Sequence, residues 1–131
     1  MKKNFERLVK IIAILVLGVF AISCGKGGKG SAEPGSIEAI KKAGKIRIGV
    51  FGDKPPFGFV DENGKNQGYD IYLAKRLAKD LLGDENKIEF ITLEAANRVE
   101  YLLSNKVDII LANFTVTDER KQKVDFAKPY M

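Results

Sequence analysis

The sequence predicts an α/β fold built on a doubly wound parallel sheet. Two observations carry that expectation. Along residues 36–112, apolar runs of period two alternate with apolar runs of helical period, in the order strand, helix, strand, helix, strand. The last of these strands, Val107-Asp108-Ile109-Ile110-Leu111-Ala112, is nearly all apolar, as a strand covered on both faces should be.

Taken in order, Ser36-Ile37-Glu38-Ala39-Ile40-Lys41-Lys42-Ala43-Gly44 opens on a residue able to cap a helix. It sets Ile37 and Ile40 on one face and stops at glycine. Lys45 to Phe51 alternates apolar residues at 46, 48 and 50 and reads as the first strand. After the loop from Gly52 to Pro56, the runs Phe57–Val60 and Lys65–Gly68 flank Asn63-Gly64, a dipeptide suited to a tight hairpin turn. From Asp70 onward, Ile71, Ala74, Leu77, Ala78 and Leu81 recur at helical spacing, with Asp70 as the expected cap and Gly83 as the stop. Lys75, Arg76 and Lys79 lie off that stripe and read as a solvated face. Lys87–Thr92 is the second strand, Ala95–Ser104 a second helix bearing Val99, Leu102 and Leu103, and Val107–Ala112 the third strand. In sheets of this kind ligands bind beyond the carboxyl ends of the strands, which directs attention to loops 51–57 and 113–120.

Upstream of this region, a basic stretch from Met1 to Lys10 is followed by Ile11 to Ile22, without a charge, the dimensions of a signal peptide. It ends in Ala21-Ile22-Ser23-Cys24-Gly25, which resembles a bacterial lipobox. Residues 1–23 are thus expected to be removed and Cys24 to carry a lipid anchor. Residues 24–35 contain no large apolar side chain and are rich in glycine, so they read as a flexible tether to a domain spanning 36–131.

Composition narrows the chemistry. The 131 residues amount to about one domain. With no histidine, Ser-His-Asp and Cys-His catalysis are excluded, and one cysteine cannot close an internal disulfide. No cofactor or metal is expected. Setting aside Lys2, Lys3, Arg7, Lys10 and Glu6 of the signal segment leaves 18 basic against 16 acidic groups, so no nucleic-acid surface is indicated.

The chemistry concentrates after the third strand. Asn113-Phe114-Thr115-Val116-Thr117-Asp118-Glu119-Arg120 leads into an expected helix capped by Thr117. Free backbone N–H groups, two threonine hydroxyls and the planar fork of Arg120 would suit a carboxylate there. The same spacing allows a surface arginine paired with Glu119 or Asp125.

Three groups of residues resemble solute-binding protein family 3, the polar-amino-acid receptors of ABC importers. They are Gly49-Val50-Phe51-Gly52-Asp53-Lys54-Pro55-Pro56-Phe57-Gly58; Gly68-Tyr69-Asp70-Ile71; and Phe114 to Arg120 followed by Val124-Asp125-Phe126-Ala127-Lys128-Pro129-Tyr130. The resemblance implies a periplasmic-binding-protein-like fold of type II, no catalysis, a free amino acid as ligand, and a permease in the cytoplasmic membrane as partner. The domain would sit at the outer face of that membrane or in the periplasm. By the same resemblance, Arg120, with Thr115, grips the ligand's α-carboxylate. Asn113 helps hold the ammonium through its carbonyl, and Phe51 and Phe57 wall the side-chain pocket. Arg98 stands where glutamate and aspartate receptors often place an arginine for the side-chain carboxylate, but those receptors often offer a lysine near Phe51, and here the residue is aromatic. The whole combination is most similar to the cysteine-binding branch, which favours cysteine or a similar small polar amino acid over an acidic one. Dehydratases, peptidoglycan lyases and sensory domains on the same scaffold are the competing classes. Family members are about twice as long and two-lobed, so residues 36–131 are expected to form an incomplete first lobe, truncated before the second.

Mass spectrometry of the membrane fraction is expected to find a diacylglycerol-modified Cys24 with residues 1–23 absent, and Cys24→Ser should release the domain. A membrane-free product with an unmodified thiol would overturn the lipobox reading.

Overall fold

The computed structural model describes residues 32–130. The expected signal segment, Cys24 and the tether up to residue 31 lie outside the described residues. Helix α1 (Ile37–Ala43) begins and ends as its sequence dictates: Ser36 Oγ accepts from Ala39 N at 3.2 Å, and Gly44, at φ 73°, closes it in the left-handed region. Strand β1 (Ile46–Val50) then forms the middle of a parallel three-stranded sheet, between β5 (Ile88–Thr92) and β6 (Ile109–Leu111).

Alternation along β1 explains the layering. Ile46, Ile48 and Val50 have no accessible surface and pack with Ile40 of α1 and with Ile71, Ala74 and Ala78 of helix α2 (Tyr69–Leu82). Each such aliphatic side chain contributes about 1.5 to 3 kcal/mol by leaving water. Gly49 points the other way, where a Cβ would lie 2.5 Å from Leu93 Cδ2, so the second layer packs directly on the backbone. That layer gathers Phe51, Leu93 and Ala112, with Ile110 of β6 and Tyr101 of α3 (Arg98–Leu103) against them. Helices therefore cover both faces of the sheet.

Strand β6 is covered on both faces, as expected, with Ile109 and Leu111 against the first layer and Ile110 against the second. Val107 and Ala112 are buried, but Ile109, Ile110 and Leu111 are only half-buried, and among the described residues no strand pairs the outer flank of β6. Its register is held by a fork: Arg47 Nη2 donates to Asp108 Oδ1 at 2.5 Å and Nε to Oδ2 at 3.2 Å, while Arg47 N also donates to Asp108 Oδ2 and Asp108 N donates to Arg47 O, each at 2.8 Å.

The expected hairpin is a three-stranded antiparallel ribbon, β2 (Asp53–Lys54), β3 (Gly58–Val60) and β4 (Asn66–Gln67). Asp61 organises its turn, accepting from Asn63 N and Lys65 N at 2.9 Å each and from Gln67 Nε2 at 3.0 Å. The extra strand arises because Phe57 N donates back to Lys54 O, folding the proline-containing loop on itself.

Asp70 is not the cap of α2. Gly68 holds that position at φ 115°, and a Cβ there would fall 2.2 Å from Phe57 O. The close approach exists because Tyr69 N and Asp70 N donate to the carbonyls of Pro56 and Phe57. Asp70 itself is fully buried and accepts from Tyr130 Oη at 2.9 Å, tying segment 122–130 to α2, while its other oxygen has no partner. The helix expected over 95–104 opens as a 3₁₀ turn (Ala95–Asn97) before α3. Helix α4 (Asp118–Lys121) is one turn long, capped by Thr117.

Burial pushes the Asp70 carboxyl above its ordinary 3.8, and the bond from Tyr130 only partly opposes this. The folded state therefore holds the proton more tightly than the unfolded chain, so stability falls as pH rises from about 4 through the raised value. Asp70→Asn is expected to remove that slope and retain stability at neutral pH. Tyr130→Phe, which leaves a buried carboxylate oxygen without its donor, should cost about 1 to 3 kcal/mol in urea unfolding. A destabilised Asp70→Asn with an unchanged pH profile would refute the assignment.

Candidate functional site

The site is built at the carboxyl end of β6. Ala112 is fully buried, and at Asn113 the backbone turns through φ 45°, a left-handed conformation that asparagine tolerates better than most residues. Arg98, at the start of α3, grips this turn. Its Nη1 donates to Ala112 O at 2.9 Å and to Asn113 O at 3.0 Å, and its Nε to Ala95 O at 2.9 Å. With 9% of its surface exposed, Arg98 is one of two charged side chains in the buried set of the described residues, beside Asp70.

Phe114 joins the two arginines. Arg98 Cζ and Arg120 Cζ each lie 4.7 Å from its ring centroid, and Arg98 Cζ is also 5.6 Å from the Phe51 ring. Such placements contribute about 0.5 to 2 kcal/mol each, more as water is excluded. Phe126 packs against the Phe114 ring at 5.2 Å between centroids. Arg120 Nη1 donates to Thr115 O at 2.7 Å, so Thr115 positions the guanidinium through its carbonyl.

The pairing of Arg120 with Glu119 or Asp125 that spacing allowed does not form. Glu119 pairs with Lys123 at 3.3 Å and Asp118 with Lys121 at 3.4 Å. Among the described residues neither Arg98 nor Arg120 has a carboxylate within 4.0 Å, and burial followed by the neighbouring charge of Arg120 pushes the Arg98 guanidinium below its usual range. Two like charges converge on one aromatic ring, and no described carboxylate pairs with either. An incoming carboxylate relieves that repulsion and finds a planar fork. The helix start adds little, because α4 is one turn long and Thr117 Oγ1 already accepts from Arg120 N at 3.3 Å.

Asn113 supplies a second kind of group. Its backbone carbonyl already accepts from Arg98, although a carbonyl can accept twice; its Oδ1 is buried with no partner among the described residues. A buried acceptor left open is costly unless a donor arrives, and an ammonium would be one. The sequence offered no signal for that side-chain role, nor for Phe114 as the shared ring, since both depend on how the turn is folded.

The aromatic pair separates. Phe51 is 5% exposed and belongs to the second core layer, touching the site through Arg98. Phe57 is half-buried in the neighbouring loop, and the residue after it, Gly58, runs so close to the Phe51 backbone that a Cβ there would lie 2.8 Å from Phe51 O. Lys54 is exposed and pairs with Asp53 at 2.7 Å. A groove of about 690 Å³ also runs along the free edge of β6, lined by Leu102, Ile109, Leu111, Phe126 and Pro129 among others. It touches Asn113, Phe114 and Thr115 but none of Phe51, Phe57, Arg98 or Arg120.

Residues 46–131 match the family model described as bacterial extracellular solute-binding proteins, family 3. The chain is 45% identical over 101 residues to a glutamine-binding protein of Geobacillus stearothermophilus, covering 76% of this chain and 38% of the relative. It is 39% identical over 137 residues to an ABC transporter glutamine-binding protein of Bacillus subtilis, covering 99% of this chain and 49% of the relative. Among solved structures it is similar to a cysteine-binding protein from Campylobacter jejuni, with 69% identity and a TM-score of 0.71 over 72% of this chain and 38% of that one. The chain thus spans half or less of the length of these relatives.

Asn113→Val should destabilise the fold by about 1 to 2 kcal/mol, since a β-branched residue resists the left-handed backbone. Asn113→Gly should cost less. Urea unfolding of both variants checks the ordering, and equal stabilities would show that the turn imposes no such constraint.

Proposed function

The chain belongs to the bacterial extracellular solute-binding proteins of family 3, and on that premise we propose that residues 36–130 form one lobe of an amino-acid receptor serving an ABC importer. One observation carries the reading: Arg120, held by Thr115 O and stacked on Phe114 at the carboxyl end of a parallel sheet, has no acidic partner among the described residues. It is the α-carboxylate anchor. Asn113 faces the ammonium, and Phe51 and Phe57 bound the side-chain pocket. The ligand is a small polar amino acid, with cysteine favoured by the 69% identity to a cysteine-binding protein. Glutamine is the second reading, favoured by the names of the two curated relatives. A glutamate or aspartate ligand has less support, because three N–H groups of Arg98 already serve carbonyls.

The partners follow from this reading: a free amino acid, a permease in the cytoplasmic membrane, and the membrane itself through a lipid on Cys24. The receptor would work outside the cytoplasm. A dehydratase or a sensor on this scaffold is less favoured, since the loop acids Asp53, Asp118 and Glu119 are exposed and each is paired with a lysine.

Calorimetric titration with cysteine, glutamine and glutamate tests the proposal. In a cleft that removes the carboxylate from water, Arg120→Ala should weaken binding by about 2 to 5 kcal/mol by leaving that charge unpaired. Arg120→Lys should recover only part of the loss, because an ammonium cannot form the planar fork. Arg120→Ala binding its best ligand as tightly as the parent would overturn the carboxylate assignment.

A further inference from the structure

Arg98 is the candidate whose donors are most fully committed before any ligand arrives. Of its five N–H groups, the one on Nε and the two on Nη1 serve the carbonyls of Ala95, Ala112 and Asn113. Turning the fork toward a ligand would strip the donor from Ala112 O, in a residue with no accessible surface. The two carbonyls on Nη1 belong to Asn113, at φ 45°, and to the residue before it, so one nitrogen bridges a turn that a non-glycine residue resists. The next residue is Phe114, whose ring meets Arg98 and Arg120 at the same 4.7 Å. A continuous line of contacts therefore runs from Arg98 through the turn and the ring to Arg120.

We propose that Arg98 is a positioning residue. It fixes the Ala112–Asn113 turn and the Phe114 ring so that Arg120 and Asn113 meet the part common to all amino acids, and it does not select the ligand by side-chain charge. This rests on the amino-acid reading given above. The rigid fork is what the role requires: a lysine could donate to a carbonyl but could not hold three carbonyls at fixed angles while keeping its charge within 4.7 Å of Phe114 and 5.6 Å of Phe51.

The role has a signature that neither a direct side-chain reader nor a packing residue would leave. The test titrates the full chain and its Arg98→Lys and Arg98→Gln variants with cysteine, glutamine and glutamate, and follows amide hydrogen exchange in parallel. Positioning predicts that Arg98→Gln weakens every ligand bound by the parent by a similar factor, about tenfold to a hundredfold, with their order unchanged. Arg98→Lys should lose less. In both variants the amides of residues 113–120 should exchange faster, while those of β1 and β5 keep their protection. A selective loss of glutamate would overturn the proposal and make the Nη2 protons a direct reader of the side chain. Unchanged affinities and loop exchange, with only a lower melting temperature, would overturn it in favour of packing. If the parent binds none of the three, the amino-acid reading fails while the exchange measurement still decides whether Arg98 holds the turn: unchanged exchange in 113–120 refutes it.

Discussion

Strand β1 has to be buried on both faces, and most of the structure follows from how that is done. Ile46, Ile48 and Val50 fill one side against α1 and α2, and Gly49 leaves the other side thin enough for Leu93 to sit on the backbone. With β5 and β6 flanking it in parallel, the carboxyl ends of all three strands open on one edge, and the loops after β1 and β6 emerge there. The site is a consequence of that edge. A bulkier residue at 49 would separate the two layers and move Leu93, Phe51 and Ala112, the floor beneath Arg98.

Charge is distributed unevenly around this frame. Elsewhere acids and bases meet: Arg47 with Asp108 and Arg76 with Asp80 away from the site, and Lys121 with Asp118 and Lys123 with Glu119 on and just after the short helix that carries Arg120. The exposed pairs contribute little, while the Arg47–Asp108 fork, with the aspartate side chain 5% exposed, joins β6 to the sheet centre. At the site the pattern reverses. Arg98 and Arg120 share Phe114 with no carboxylate within 4.0 Å of either among the described residues, an arrangement held by carbonyls and an aromatic ring rather than by ion pairs. Together they leave a positive potential that a carboxylate would relieve.

The free edge of β6 adds a different feature. Ile109, Ile110 and Leu111 have one backbone flank unpaired among the described residues, and the groove beside them reaches Asn113, Phe114 and Thr115 but is not lined by either guanidinium. Sheet edges of this kind tend to recruit other chains.

Local chemistry made much of the fold legible. The caps of α1, the left-handed stops at Gly44 and Gly83, the alternation in β1 and the helical stripe of α2 are short-range properties, and the sequence alone determined them. What needed the tertiary structure depends on residues far apart in the chain. Asp70 read as a cap because aspartate favours that position; it is instead a buried acceptor because Tyr130, sixty residues later, reaches it and Gly68 must approach Phe57 O. Val107–Ala112 read as a doubly covered strand because its side chains are apolar, but composition does not say which strand is at the edge. The bonds of Arg98 could not be read in sequence, since its three carbonyl partners are backbone atoms that any residue carries. Sequence specifies which side chains can do a given chemistry; only the folded backbone decides which of their donors are left to do it.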